Sequence, residues 1–173
     1  MDAGSESAVS VNVSKRRYEE TDLYNSVKEA LAVSGLQPEY LELEMSEDFL
    51  AEDLDHALES LNALKELGVR IVIDNFGLEY SSLSYLKILP IDKIKISSVF
   101  VEGIEKNTID EAIIDAIIIL GKKAGFDLLA QGVERHSQMV YLRERGLDHV
   151  QGFYYFEPID VEVIEEYNLL ANN

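Results

Sequence analysis

The regular alternation of strand-like and helix-like segments is the feature that most constrains how this chain folds. Short segments rich in Val and Ile recur along it, separated by amphipathic segments that end at glycine. The predicted strands cover residues 9–14, 40–45, 69–76, 92–97, 126–131 and 149–156. Six strands that alternate with helices predict a parallel sheet, either open and doubly wound or curled into a barrel.

The predicted helices are punctuated by recognisable start and stop residues. They cover residues 21–34, a long stretch ending at 67, 81–89, 108–125, 137–145 and a last acidic segment from about 160. Gly35 and Gly68 provide C-terminal stops. Thr108 and Glu111 have the spacing of a capping box, in which the threonine hydroxyl and the glutamate cap each other's backbone amides.

Composition limits the classes of partner. The 173 residues suggest one domain, at residues 9–173, preceded by an eight-residue tail that is disordered or a remnant of cloning. A formal net charge of −18 argues against nucleic acid and anionic membranes as partners. The absence of cysteine excludes disulfides and thiolate metal sites. No apolar run approaches the ~20 residues of a membrane span, so we expect a cytoplasmic protein.

Polar residues cluster at the predicted strand ends. No glycine-rich phosphate loop follows the first strand, which disfavours a dinucleotide-binding sheet and favours a barrel, whose active site lies at the carboxyl ends of its strands. The residues at these ends are Asn12, Glu44, Asp74, Asn75, Lys95, Gln131 and Gln151. Their oxygens suit Mg²⁺ or Mn²⁺, as in metal-assisted phosphodiester hydrolysis. The alternative is that each is an ordinary strand-end group that bonds a neighbouring loop.

Six motifs, in order, resemble the EAL domain family of bacterial cyclic-di-GMP phosphodiesterases. The resemblance covers about residues 9 to 160. It implies a TIM-like (β/α) barrel, here incomplete, with about six parallel strands because the family's first strands are not in this chain. The motifs are Val11-Asn12-Val13-Ser14, Leu41 to Glu47, Asp74-Asn75-Phe76-Gly77 with Tyr80-Ser81-Ser82-Leu83, Lys93-Ile94-Lys95-Ile96, Gln131-Gly132-Val133-Glu134 and Gln151-Gly152-Phe153.

The resemblance also implies a role for individual residues. Asn12, Glu44 and Asp74 match metal ligands, and Lys95 matches a lysine that positions the catalytic water. Gln151 matches a glutamine near metal and substrate. The family's loop after the aspartate-rich strand, which mediates dimerisation, is ordered by a glutamate that matches Glu47. The loop itself corresponds to Gly77, Tyr80, Ser81 and Ser82.

Several positions depart from the family pattern. The Glu-Ala-Leu strand, which supplies a metal-binding glutamate, is absent from the chain. Asn75 and Gln131 stand where the family has a carboxylate ligand, and Ser97 replaces the aspartate after Lys95. We therefore expect Lys95 to lack carboxylate neighbours. We also expect two open barrel edges, covered by a second copy or another protein partner.

These departures lead to three functional hypotheses. The first is a catalytically inactive EAL-like domain in cyclic-di-GMP signalling that acts through protein–protein contacts, without a cofactor. The second is a receptor that binds cyclic-di-GMP without cleaving it. The third is an active phosphodiesterase completed by a partner chain, which would need a surviving site for Mg²⁺ or Mn²⁺.

Overall fold

The computed structural model describes residues 8–15, 22–47, 54–78, 85–160 and 163. The strands are β1 (Val9–Asn12), β2 (Leu41–Ser46), β3 (Arg70–Phe76), β4 (Lys93–Ile96), β5 (Asp127–Gln131) and β6 (Val150–Gln151). The helices are α1 (Leu23–Ser34), α2 (Leu54–Glu66), α3 (Ser98–Glu102), α4 (Thr108–Ala124) and α5 (His136–Glu144). Short 3₁₀ turns lie at Pro38–Tyr40 and Tyr85–Lys87.

All six strands form one parallel sheet in the order β1-β2-β3-β4-β5-β6. Each strand pairs with the next strand in the sequence, so the sheet curls in one direction and the chain forms a TIM-like half-barrel, as predicted. Within the described residues, β1 and β6 each pair on one side only. These two strands are therefore the open edges of the half-barrel.

The apolar core lies between the convex face of the sheet and the helices. Alternate strand residues such as Met45, Ile73 and Ile94 are at most 1% exposed, and they pack with Leu61 of α2 and Ile114 of α4 in one cluster. Burial of each such side chain contributes roughly 1.5–3 kcal/mol. Because successive strand residues face opposite sides, the intervening positions line the concave face, and many of these are polar.

Three elements differ from the sequence predictions by more than two residues. Strand β6 ends at Gln151, because Phe153 to Tyr155 form turns after Gly152. Helix α3 was not predicted as a separate element; Ser97 caps it by accepting a hydrogen bond from the Val99 amide. The predicted helix over 81–89 is represented by the short 3₁₀ turn, and residues 81–84 lie outside the described part.

The capping box predicted at Thr108 and Glu111 is wrong. The N-cap of α4 is Asn107, whose side-chain oxygen accepts a hydrogen bond from the Ile109 amide. Glu111 instead accepts the amide of Glu105. Asparagine is at least as good an N-cap as threonine, so the helix begins one residue earlier than the box implied.

The C-terminal stops are where glycine predicts them. Gly35 and Gly125 cap α1 and α4 with φ values of 72° and 84°, in the left-handed region that glycine adopts without steric cost. Among the described residues, no helix combines the length and the apolar character needed to cross a bilayer.

Candidate functional site

The concave face of the half-barrel holds a polar cleft of about 530 Å³. Six of the seven predicted site residues line it: Asn12, Glu44, Asp74, Lys95, Gln131 and Gln151. The seventh, Asn75, is exposed beside the cleft, in the left-handed conformation with φ 53°. The parallel order of the strands thus brings these residues to one place from all six strands.

Lys95 and Glu44 form a buried ion pair in the middle of this cleft. They are 6% and 7% exposed, and Lys95 Nζ lies 2.9 Å from Glu44 Oε1 and 2.8 Å from Glu44 Oε2. Lys95 Nζ is also 3.6 Å from Asp74 Oδ1. The expectation that Lys95 lacks carboxylate neighbours is therefore wrong, because β2 and β3 aim both carboxylates into the face that β4 shares.

Asp74 is held by two amide side chains. Gln131 Nε2 donates to Asp74 Oδ1 at 3.0 Å, and Asn75 Nδ2 donates to Asp74 Oδ2 at 2.8 Å. The other end of the Gln131 amide, Oε1, is buried and has no partner among the described residues. The amide is thus oriented by its donation to Asp74.

A second set of charged residues lies nearer the start of the same strands, two to four positions before the first set. Glu42, 3% exposed, accepts from Lys93 Nζ at 2.5 Å and from Ser10 Oγ at 3.0 Å, and Arg70 Nη1 lies 3.6 Å from it. Arg70 also pairs with Asp127 on β5. Sequence reasoning missed this second set of charged residues. The signal was present, because the two glutamates of Glu-Leu-Glu in β2 lie on one face of the sheet, as do the two lysines of Lys-Ile-Lys in β4.

The predicted loop-ordering residue lies against the predicted loop. Glu47 is 2% exposed, and its Oε2 accepts the Gly77 amide at 3.1 Å. Gly77 has φ 97°, and a Cβ there would lie 2.9 Å from the Phe100 ring. The predicted dimer residues Tyr80, Ser81 and Ser82 lie outside the described residues.

Fold and site together define a class of protein. A curled sheet of parallel strands, with carboxylates, amides and a lysine gathered on its concave face at the strand ends, is a TIM-like barrel domain built around a polar, oxygen-rich site. The chain belongs to the EAL family, whose model, described as "EAL domain", matches residues 1–158.

Individual relatives agree with this family assignment. The signaling protein YkoW of Bacillus subtilis is 39% identical over 166 residues, which are 96% of this chain and 21% of that protein. The PaMucR phosphodiesterase, solved in complex with c-di-GMP, superposes with a TM-score of 0.87 at 36% identity, covering 91% of this chain and 64% of that one. A manganese and cyclic-di-GMP complex of Klebsiella pneumoniae BlrP1 gives 0.79 at 27% identity, covering 86% and 38%. The chain thus spans about a fifth of the curated relative's length.

The residues present do not fit the divalent ions that the family implies. All four carboxylate oxygens of Glu44 and Asp74 already accept hydrogen bonds from Lys95, Gln131 or Asn75. Amides bring no charge, and in this arrangement both present their N–H groups to Asp74 rather than their oxygens. No group of three or more histidine, cysteine, aspartate or glutamate residues suited to a metal occurs within the described ranges.

Proposed function

We propose that this chain is a catalytically inactive EAL domain of a cyclic-di-GMP signalling protein, acting through protein–protein contacts. The observation that carries the proposal is the occupation of every carboxylate oxygen of Glu44 and Asp74 by a donor from the protein itself. Metal-assisted hydrolysis needs free anionic ligands that hold the ions and neutralise their charge. Here a bound cation would have to share these oxygens with both amides and with the Lys95 ammonium, whose positive charge repels it.

The charge of the cleft also opposes binding of the family's ligand. Three carboxylates and two ammonium groups line it, which leaves a net negative charge. Cyclic-di-GMP carries two phosphodiester anions. In a cleft without metal ions these anions would meet like charge in a partly desolvated site, which weakens binding.

Incubation of the protein with cyclic-di-GMP and either Mg²⁺ or Mn²⁺ should yield no linear dinucleotide above the rate without protein. Each ~1.4 kcal/mol of lost transition-state stabilisation costs tenfold in rate, and loss of bound metal ions removes several such factors. The product can be followed by ion-pair chromatography. The PaMucR phosphodiesterase provides a positive control for substrate and buffer.

Metal-dependent hydrolysis that a chelator abolishes would contradict this proposal. It would favour an active phosphodiesterase instead, with the remaining ligands supplied by a partner chain. The catalytic residues would then be expected among Glu44, Asp74 and Lys95, which lie together in the cleft.

The open edges provide the surface for protein contacts in this proposal. Strand β1 is exposed along its whole length, and Val9 and Val11 are 51% and 44% exposed. After β6, Phe153 and Phe156 are 60% and 66% exposed. Unpaired strand edges flanked by apolar side chains favour pairing with another polypeptide. A second copy or a protein partner that covers an edge remains our prediction, as does a cytoplasmic location.

The second candidate function is a receptor that binds cyclic-di-GMP without cleaving it. The exposed side chains of Asn12 and Gln151 favour it, because both line the cleft and offer hydrogen bonds to a ligand. From the charge of the cleft we expect isothermal titration to show no saturable heat at a hundredfold excess of ligand, with or without Mg²⁺. Saturable binding independent of metal would assign the chain to the receptor class instead.

A further inference from the structure

The two amides that replace carboxylates bind the same aspartate. Asp74 Oδ1 accepts from Gln131 and Asp74 Oδ2 accepts from Asn75, so the two substitutions meet on one carboxylate from β5 and from the position next to it on β3. An ionised carboxylate is an acceptor only, whereas an amide offers two N–H donors. Carboxylates at these two positions could therefore not cap Asp74 and would repel it.

The buried ion pair completes the arrangement. Lys95 binds both oxygens of Glu44 and lies 3.6 Å from Asp74 Oδ1. Residues on β2, β3, β4 and β5 are thereby connected across the concave face. The Asp74 side chain is 18% exposed, and each of its two oxygens accepts a hydrogen bond from an amide.

We propose that Gln131 and Asn75 form a metal-free lock on Asp74, which holds the concave face together in place of the family's divalent cations. This inference extends the proposed function, since it gives the inactive site a structural role of its own. Charge-assisted hydrogen bonds from the amides supply the attraction that metal ions would otherwise provide. The stability of the fold then does not depend on divalent metal.

The lock is tested by thermal unfolding of the wild-type chain and of Gln131→Glu, each in excess EDTA and in millimolar Mn²⁺. The wild-type melting temperature should be the same in both buffers within about 1 °C. Gln131→Glu loses a donor and places a third carboxylate beside Glu44 and Asp74, so its melting temperature in EDTA should fall by about 6 °C. Mn²⁺ should recover much of that loss, because the variant has regained a cluster of anionic oxygen ligands.

Gln151→Glu is the matched control. It makes the same chemical change in the same cleft, and Gln151 is the register neighbour of Gln131 on the edge strand, but its side chain is exposed and is not one of the two amides that bind Asp74. We expect its melting temperature to shift by less than about 2 °C in EDTA.

Asn75→Asp is the second test variant. Residue 75 is exposed, so the fold tolerates the substitution. We expect its melting temperature to fall by about 3 °C in EDTA and Mn²⁺ to reverse that fall.

Stabilisation of the wild-type chain by Mn²⁺ of more than about 3 °C would overturn the lock, since it would mean that the native fold binds the ion despite the amide cap. Equal effects of Gln131→Glu and Gln151→Glu in EDTA would also overturn it. Neither result decides the proposed function, which is tested separately by the hydrolysis and the binding of cyclic-di-GMP. A chain that binds Mn²⁺ and leaves the dinucleotide intact would refute the lock and keep the inactive domain.

Discussion

Replacement of Lys95 by methionine is expected to lower the free energy of unfolding by about 3–5 kcal/mol, because it leaves a buried carboxylate without its counter-ion. Glu44 is 7% exposed, and both of its oxygens bind Lys95 Nζ. Methionine keeps the length and most of the volume of the lysine stem. The loss therefore comes from the charge, and urea-induced unfolding followed by circular dichroism measures it.

Two variants separate this effect from a simple change of side chain. The double variant Lys95→Met with Glu44→Gln removes both charges and should regain much of the lost stability, since the glutamine is neutral. Lys93→Met makes the same substitution two residues earlier on β4, where Glu42 keeps Ser10 and Arg70 as partners, and should cost about 1 kcal/mol. A cost for Lys95→Met no larger than that of Lys93→Met would contradict a special role for the Lys95–Glu44 pair.

The alternation of strands and helices made the fold predictable. Strands β3 and β5 begin one residue later than predicted and end where predicted, because their runs of apolar and β-branched residues are bounded by turn residues. The concave cleft was predictable for the same reason, since parallel strands bring their carboxyl ends to one rim. The family motifs then supplied the roles of the individual residues.

Long-range contacts within the site could not be derived from the sequence. Lys95 on β4 binds Glu44 on β2, two strands away, and the separation of the two residues in the sequence does not predict this contact. Gln131 was correctly expected to lack charge, but its donation to Asp74 depends on which end of the amide faces the carboxylate. Such orientations follow from the complete hydrogen-bond network rather than from residue type.

Strand β6 shows how local pattern can mislead. The aromatic run from Phe153 to Phe156 has high β-propensity, and it extended the predicted strand to residue 156. The chain instead turns after Gly152, where the Tyr154 amide donates to Val133 O at 2.9 Å and the Tyr155 amide donates to Gly152 O at 3.1 Å. A tertiary contact to the loop after β5 therefore overrides the propensity.

That contact makes Gly152 a position where a single methyl group should have a large effect. A Cβ at Gly152 would lie 2.2 Å from Val133 O and 2.4 Å from Val133 N, and both atoms belong to the backbone. In Gly152→Ala the end of β6 must move away from β5, which breaks the hydrogen bonds from Val133 N to Gln151 O and from Tyr154 N to Val133 O. We expect a loss of about 3 kcal/mol in the free energy of unfolding, from overpacking and the broken hydrogen bonds.

Gly35→Ala is the control that isolates close packing from backbone strain. Gly35 has φ 72°, so alanine is strained there, but no atom lies within 4 Å of the added Cβ; the expected cost is about 1 kcal/mol. Hydrogen exchange should rise over residues 150–156 in Gly152→Ala and remain unchanged there in Gly35→Ala. Equal stability losses with no local change in exchange would mean that β6 adapts to the methyl group.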